Sequence, residues 1–405
     1  MRMKGYAWLM VILCASLAIL PGCWSKKELN ELAVVMALGV DLQEGGGYVV
    51  SAQVMNPSEV GSQQSGLSGN SPAVTYSAVG KTIPDALQRM LNVTPRMLYL
   101  SHMRVLVFGE EMARQGISDV LDFISRNHEL RTDFYLMVAK GMDAAEILQV
   151  VTPFEHIPSS SLYSSILISN KEWAAMGKIT LQQFITELDQ SGSNPIMSGV
   201  ELHGDPKTGN NLENVKKIKP DTMLENAGLA VFVKDRLVGW VGEAGSKATN
   251  YVLNEVEMTS GYVPCPGGGI IGVEITSARS KLEVHLDKEE RPQFIVRLKT
   301  EANLDAAQCS VDLSKVESID QISRNLEHKL TSLLEEGIHE VQRKYGADIF
   351  GFGEALHRKY PKVWEKYRER WEDSFRSMEV RVYADAEIRR IGSIVQPARR
   401  EMERR

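Results

Sequence analysis

The side chains with the most chemistry to offer in this 405-residue chain are four cysteines and eight histidines. Catalysis would need them at set spacings. A zinc hydrolase places two histidines one helical turn apart around a glutamate, so that both imidazoles leave the same helix face. His128-Glu129 and His339-Glu340 each begin that pattern, and neither has a second histidine four positions after the first. No Gly-x-Ser-x-Gly nucleophile turn and no paired Cys-x-x-Cys occurs. The acid pairs Glu289-Glu290 and Glu335-Glu336 sit in a polar turn and on a charged helix face, where solvation accounts for them. Gly239, Gly242 and Gly245 are spaced three apart, as in a phosphate-cradling loop, but no GK[ST] or GxGxxG follows. They read as turn glycines. The expectation is a protein that is not an enzyme, with no metal site and no cofactor.

One cysteine does carry a recognisable chemistry. Arg2 and Lys4 precede a run from Ala7 to Leu20 that is apolar apart from Ser16. That run is short for a membrane span and suits the hydrophobic region of a signal peptide, here residues 1–22. Leu20-Pro21-Gly22-Cys23 then resembles the bacterial lipobox. The thiol of Cys23 would take diacylglycerol as a thioether, and the small Gly22 would admit the signal peptidase. Pro21 departs from the usual small residue there. Each buried methylene of an attached acyl chain adds about 0.8 kcal/mol, so two or three chains hold a protein firmly on one leaflet.

Loss of Arg2 and Lys4 with the signal takes the formal charge from −6 to −8, which argues against a nucleic-acid binder. The far C-terminus is locally basic (Arg389, Arg390, Arg399, Arg400, Arg404, Arg405) and ends in a basic tail, residues 396–405. Cys265 and Cys309 remain where disulfides persist. A hairpin turning at Lys288 to Arg291 would bring them within a residue or two of opposition. Directly opposed residues meet the Cα separation of about 4.4–6.8 Å that a disulfide requires. A strand break near Pro264 and Pro266 would separate them and leave two free thiols.

The elements that must position these residues alternate between two periods. Ala33–Asp41 and Tyr48–Met55 read as strands, and the Gly/Ser/Gln-rich stretch Asn56–Pro72 as a loop. Helices are expected from Thr82, over Ile117–Ile124, after Asp143, and through most of Ser160–Leu188. Residues 201–224, few of them apolar, read as an interdomain linker or a long exposed excursion. A second unit, 225–395, opens on the hairpin Ala227–Trp240. Its long strands Ile270–Leu286 and Phe294–Leu304 precede a helix over Val316–Tyr345. There Val316, Ile319, Ile322, Leu326, Leu330, Leu333, Ile338, Val341 and Tyr345 make one apolar face. That stripe packs on its own sheet or, less commonly, serves as a coiled-coil seam.

Asp348-Ile349-Phe350-Gly351-Phe352-Gly353, followed by Leu356-His357-Arg358-Lys359-Tyr360-Pro361, Trp364, Trp371 and Phe375, resembles the C-terminal domain of the Ger(x)C family. These are the lipoprotein C subunits of GerA-type spore germinant receptors. Cys23-Trp24, Glu28 to Ala33, Ser101-His102 with Val105 to Glu110, Leu121 to Arg126, and Gly228 to Phe232 are similar in order and spacing. The stretch 203–221 matches nothing. Taken alone, Gly351 and Gly353 read as positive-φ turns, Asp348 as a helix cap, and Trp364, Trp371 and Phe375 as core.

The resemblance implies an α+β fold in three domains, each a mixed or antiparallel sheet flanked by helices, with residues 23–200 as the N-terminal part. It implies anchorage at Cys23 on the outer, extracytoplasmic face of the inner spore membrane. Its partners would be the integral-membrane A and B subunits of the same receptor, and its role non-catalytic. A solute-binding lipoprotein of a transporter is the alternative. It would need two α/β lobes around a cleft, against which the long hairpin and the Trp-rich helix count.

Overall fold

The computed structural model describes residues 28–57, 71–155 and 157–392. The signal segment, Cys23, most of the Asn56–Pro72 loop and the basic tail lie outside the described residues. Along the chain, strands β1 (Leu32–Leu42), β2 (Tyr48–Met55) and β3 (Ala73–Gly80) lead into helix α1 (Ile83–Met90). Strands β4 (Met97–Tyr99) and β5 (Val105–Gly109) precede α2 (Glu110–Gln115) and α3 (Ser118–Arg126). Next come β6 (Tyr135–Ala139), α4 (Ala144–Ile147), α5 (Pro158–Trp173) and α6 (Leu181–Asp189). Then follow β7 (Ile196–His203), α7 (Pro206–Gly209), β8 (Met223–Val233), β9 (Arg236–Val241) and α8 (Glu243–Leu253).

These strands form one mixed sheet in the order β3-β2-β1-β5-β6-β7-β8-β9, with β4 beside β1. Strands β1, β5, β6 and β7 are parallel, and antiparallel hairpins extend the sheet at both ends. The centre is covered on both faces, which is why β5 reads as an unbroken apolar run with all five residues buried. On one face Val105, Val107, Met137 and Ala139 meet Ile147 of α4 and Leu162 and Ile166 of α5. On the other, Leu106, Phe108, Leu136 and Val138 belong to the larger core cluster.

The second sheet is β10 (Thr259–Pro264), β11 (Ile270–Leu286), β12 (Pro292–Gln308) and β13 (Glu379–Arg390), in that order. Between β12 and β13 the chain makes α9 (Val316–Lys344), α10 (Phe352–Lys359), α11 (Pro361–Tyr367) and α12 (Trp371–Phe375). Along β12, Phe294, Val296, Leu298, Thr300 and Ala302 are buried, while Arg297 and Lys299 point to water. One covered face gives the clean alternation of a largely antiparallel sheet. The class is α+β, as expected, and the larger core cluster contains residues of both sheets, Phe232 and Phe294 among them.

The hairpin Ala227–Trp240 adds to the first sheet and does not start a new one. Its strands β8 and β9 hydrogen-bond onto β7 and complete the first sheet. Residues 204–222 join antiparallel neighbours, His203 facing Met223, which is the excursion of the two alternatives. Buried Asn214 holds that loop down, donating to the carbonyls of Val151 and Thr222 and accepting from Thr222 N. Most of Ser160–Leu188 is helical, as expected, in two helices with Ala174 in the left-handed region at φ 55° between them.

Candidate functional site

Two places in the fold concentrate unusual chemistry. The first lies where α5, α8, β10 and α9 meet, around a cavity of about 480 Å³. Glycines allow the helices to come together there: a Cβ on Gly337 of α9 would stand 2.5 Å from Ala248 of α8, and one on Gly245 would stand 2.4 Å from Val241. The floor is apolar, with Val273 and Ile275 of β11 and Leu326 and Leu330 of α9. Trp173 closes one side at the end of α5, and Tyr262 on β10 closes another. Both keep large exposed faces, 41% and 57%.

Two lysines reach into this apolar setting. The Lys247 ammonium lies 3.2 Å from the centre of the Trp173 ring and 3.3 Å from Glu243, one helical turn back. The Lys329 ammonium lies 3.7 Å from the centre of the Tyr262 ring and donates to the Tyr262 carbonyl at 2.8 Å. Burial holds both below the ordinary lysine value, and the charge of Lys329 pushes Lys247 lower still against the pull of Glu243. Burial also pushes the Tyr251 phenol up. The arrangement is a half-enclosed apolar pocket with two cations facing aromatic rings.

The second place is Asp348, which is fully buried. Its carboxylate accepts from the backbone N–H groups of Phe350, Phe352 and Gly353 and from Trp371 Nε1 at 3.1 Å. Burial nevertheless dominates those four donors and pushes its carboxyl up to about 6. The backbone of Asp348 is clasped by Asn194, in the loop before β7, through Asn194 N to Asp348 O at 2.8 Å and Asp348 N to Asn194 Oδ1 at 2.7 Å. Gly192 and Gly353 touch at the same point: a Cβ on Gly353 would sit 2.6 Å from the Gly192 carbonyl and 2.7 Å from Trp371. Asp348 is thus the knot that ties the loop before β7 to the helices α10 and α12, and not merely a helix cap.

The remaining singled-out residues sort clearly. Gly351, at φ 78°, is the expected positive-φ position, whereas Gly353 is a close-approach glycine. Gly239 and Gly245 are close-approach glycines too: a Cβ on Gly239 would meet the Tyr345 ring at 2.2 Å. Trp364, Trp371 and Phe375 are buried and share edge and stacked contacts. Cys265 and Cys309 stand as a disulfide with Cα atoms 6.4 Å apart. Cys265 is not on the β11–β12 hairpin, however. It opens the turn between β10 and β11, where it accepts from Gly268 N and donates to Gly269 O, and that turn brings it to the end of β12. The strand break near Pro264 thus brings the thiols together.

Sequence reasoning missed the lysine pocket, because its parts come from four separated elements. It also missed Asp41, whose buried carboxylate accepts from Ala144 N and Ala145 N and is pushed up to about 6 by burial. Among the described residues no group of three or more His, Cys, Asp or Glu side chains is placed to hold a metal ion.

Comparison with known proteins agrees along most of the chain. Residues 25–202 match the spore germination protein N-terminal domain, and residues 227–392 match the spore germination B3/GerAC-like C-terminal domain. Spore germination protein KC of Bacillus subtilis (strain 168) is 30% identical over 392 residues, covering 95% of each chain. Spore germination protein B3 of the same organism is 23% identical, over 93% of this chain and 96% of that one. The crystal structure of the GerBC protein superposes with a TM-score of 0.52 at 18% identity, over 87% of this chain and 96% of that chain, which establishes a shared fold. The chain belongs to the Ger(x)C family of spore germination proteins.

Proposed function

We propose that this chain is a lipid-anchored, non-catalytic C subunit of a nutrient germinant receptor. Cys23 holds it on the outer face of the inner spore membrane, beside integral-membrane A and B subunits. The observation that carries the reading is co-linear similarity to spore germination protein KC over 95% of both chains. The sequence from Arg2 to Cys23, with its apolar run and lipobox-like end, supplies the anchor. No helix among the described residues is long and apolar enough to cross a membrane, so attachment of that part falls to the acyl chains and to the partners.

A subunit without a catalytic set acts through contacts that differ between resting and triggered receptor. The Asp348 knot suits such a part. It ties the loop before β7 to the α10–α12 layer. Deleting the gene in its host and scoring spores nutrient by nutrient tests the proposal. The expected result is lost response to one set of nutrients with other responses intact. Unchanged response to every nutrient would overturn it.

A further inference from the structure

We propose that the cavity between α8, β10 and α9 binds a small organic anion, with a carboxylate held between Lys247 and Lys329 and an aliphatic or aromatic body on the apolar floor. Its volume, about 480 Å³, lies within the range of about 300–1,000 Å³ usual for small-molecule sites. Two like charges border that apolar floor, Lys247 half-buried and Lys329 exposed at its rim. Here they are only partly compensated. Glu243 pairs with Lys247, while Lys329 meets the Tyr262 carbonyl and ring. A carboxylate set between the two ammonium groups would neutralise the surplus. The exposed faces of Trp173 and Tyr262 then become walls for its apolar body. An inorganic anion would leave those walls and Leu326 and Leu330 wet, and a neutral hydrocarbon would leave the cations unanswered. Only an amphiphilic anion uses both halves of the pocket. The inference rests on the pocket and not on the receptor assignment, and it would give the C subunit a chemical input of its own.

The full chain is titrated calorimetrically with 3-phenylpropionate and 4-methylpentanoate, and in parallel with the neutral 3-phenylpropanamide and with inorganic phosphate. The expected result is saturable binding of the carboxylates, with the amide and phosphate each weaker by about tenfold or more, as a charge-assisted bond requires. Lys329→Gln and Lys247→Gln should each weaken carboxylate binding by about tenfold while circular dichroism stays unchanged. Equal binding of acid and amide would reveal a plain apolar trap and overturn the proposal. So would phosphate binding as tight as that of the carboxylates, or no saturable binding of either carboxylate up to roughly tens of millimolar. The acid and amide comparison uses the unaltered chain, so it decides the matter even if a variant misfolds.

Discussion

At the scale of single residues, Asp348 carries the sharpest consequences. Each of its oxygens accepts two N–H donors. In Asp348→Asn an amide NH₂ must face two of them, whichever way it is turned. Leaving a buried donor unsatisfied costs about 1–3 kcal/mol, so the variant should unfold with at least about 2 kcal/mol less stability at neutral pH in a urea titration. Unchanged stability would show that the knot bears no weight. The folded carboxyl titrates at about 6, above its ordinary 3.8. Between those values the unfolded chain ionises first while the folded one keeps its proton. Stability must therefore fall as pH rises from about 4 to about 6, and level off above. Asp41 adds in the same direction, and Glu187, raised by burial to about 7, extends the window upward. In Asp348→Asn the slope should be shallower, while a rise of stability with pH across this window would contradict the assignment. The sequence made Asp348 visible as part of a motif, but only as a cap. The reason is that Asn194, its partner, lies 154 positions away and no local pattern announces it.

At the scale of elements, the long helix shows what periodicity can and cannot deliver. The stripe through Ile322, Leu326, Leu330, Ile338 and Val341 is buried as expected. Leu334 is fully buried where Leu333 was expected, because steps of three and four can be counted along two neighbouring rows. Val316, at the start, is 69% exposed. The aromatic layer behind this helix was legible from the spacing of Trp364, Trp371 and Phe375. Truncating a buried aromatic costs about 3–5 kcal/mol, so Trp371→Ala should lower the amount of folded subunit in spores and leave nutrient preference alone. A fully abundant variant with altered preference would place Trp371 at a contact surface instead. The disulfide joins the β10–β11 turn to the end of β12 across 44 positions. Closing a loop of that length is worth about 2–4 kcal/mol by chain entropy. Non-reducing peptide mapping should recover Cys265 and Cys309 in one linked pair, and reduction should lower the unfolding midpoint. Two alkylatable thiols would end that prediction.

At the scale of the whole molecule, the class and the order of elements could be read from alternating and helical periods. The allocation of strands to sheets could not. Strands β8 and β9 open the stretch that matches the C-terminal family domain, and yet they join the first sheet. Their place is set by hydrogen bonds to β7, and hairpin pairing across a long loop costs little extra entropy. The same long-range assembly creates the lysine pocket, since Trp173, Lys247, Tyr262 and Lys329 converge only after the chain has folded. Cys23 is the reverse case. Its meaning comes entirely from local sequence, and it lies outside the described residues. The most direct test of the account is therefore to replace the native gene by one encoding Cys23→Ala. The labelled-lipid signal should vanish, the chain should leave the inner-membrane fraction, and the spores should lose the same nutrient responses as a deletion. A variant that stays membrane-bound, is processed as before and germinates normally would contradict it.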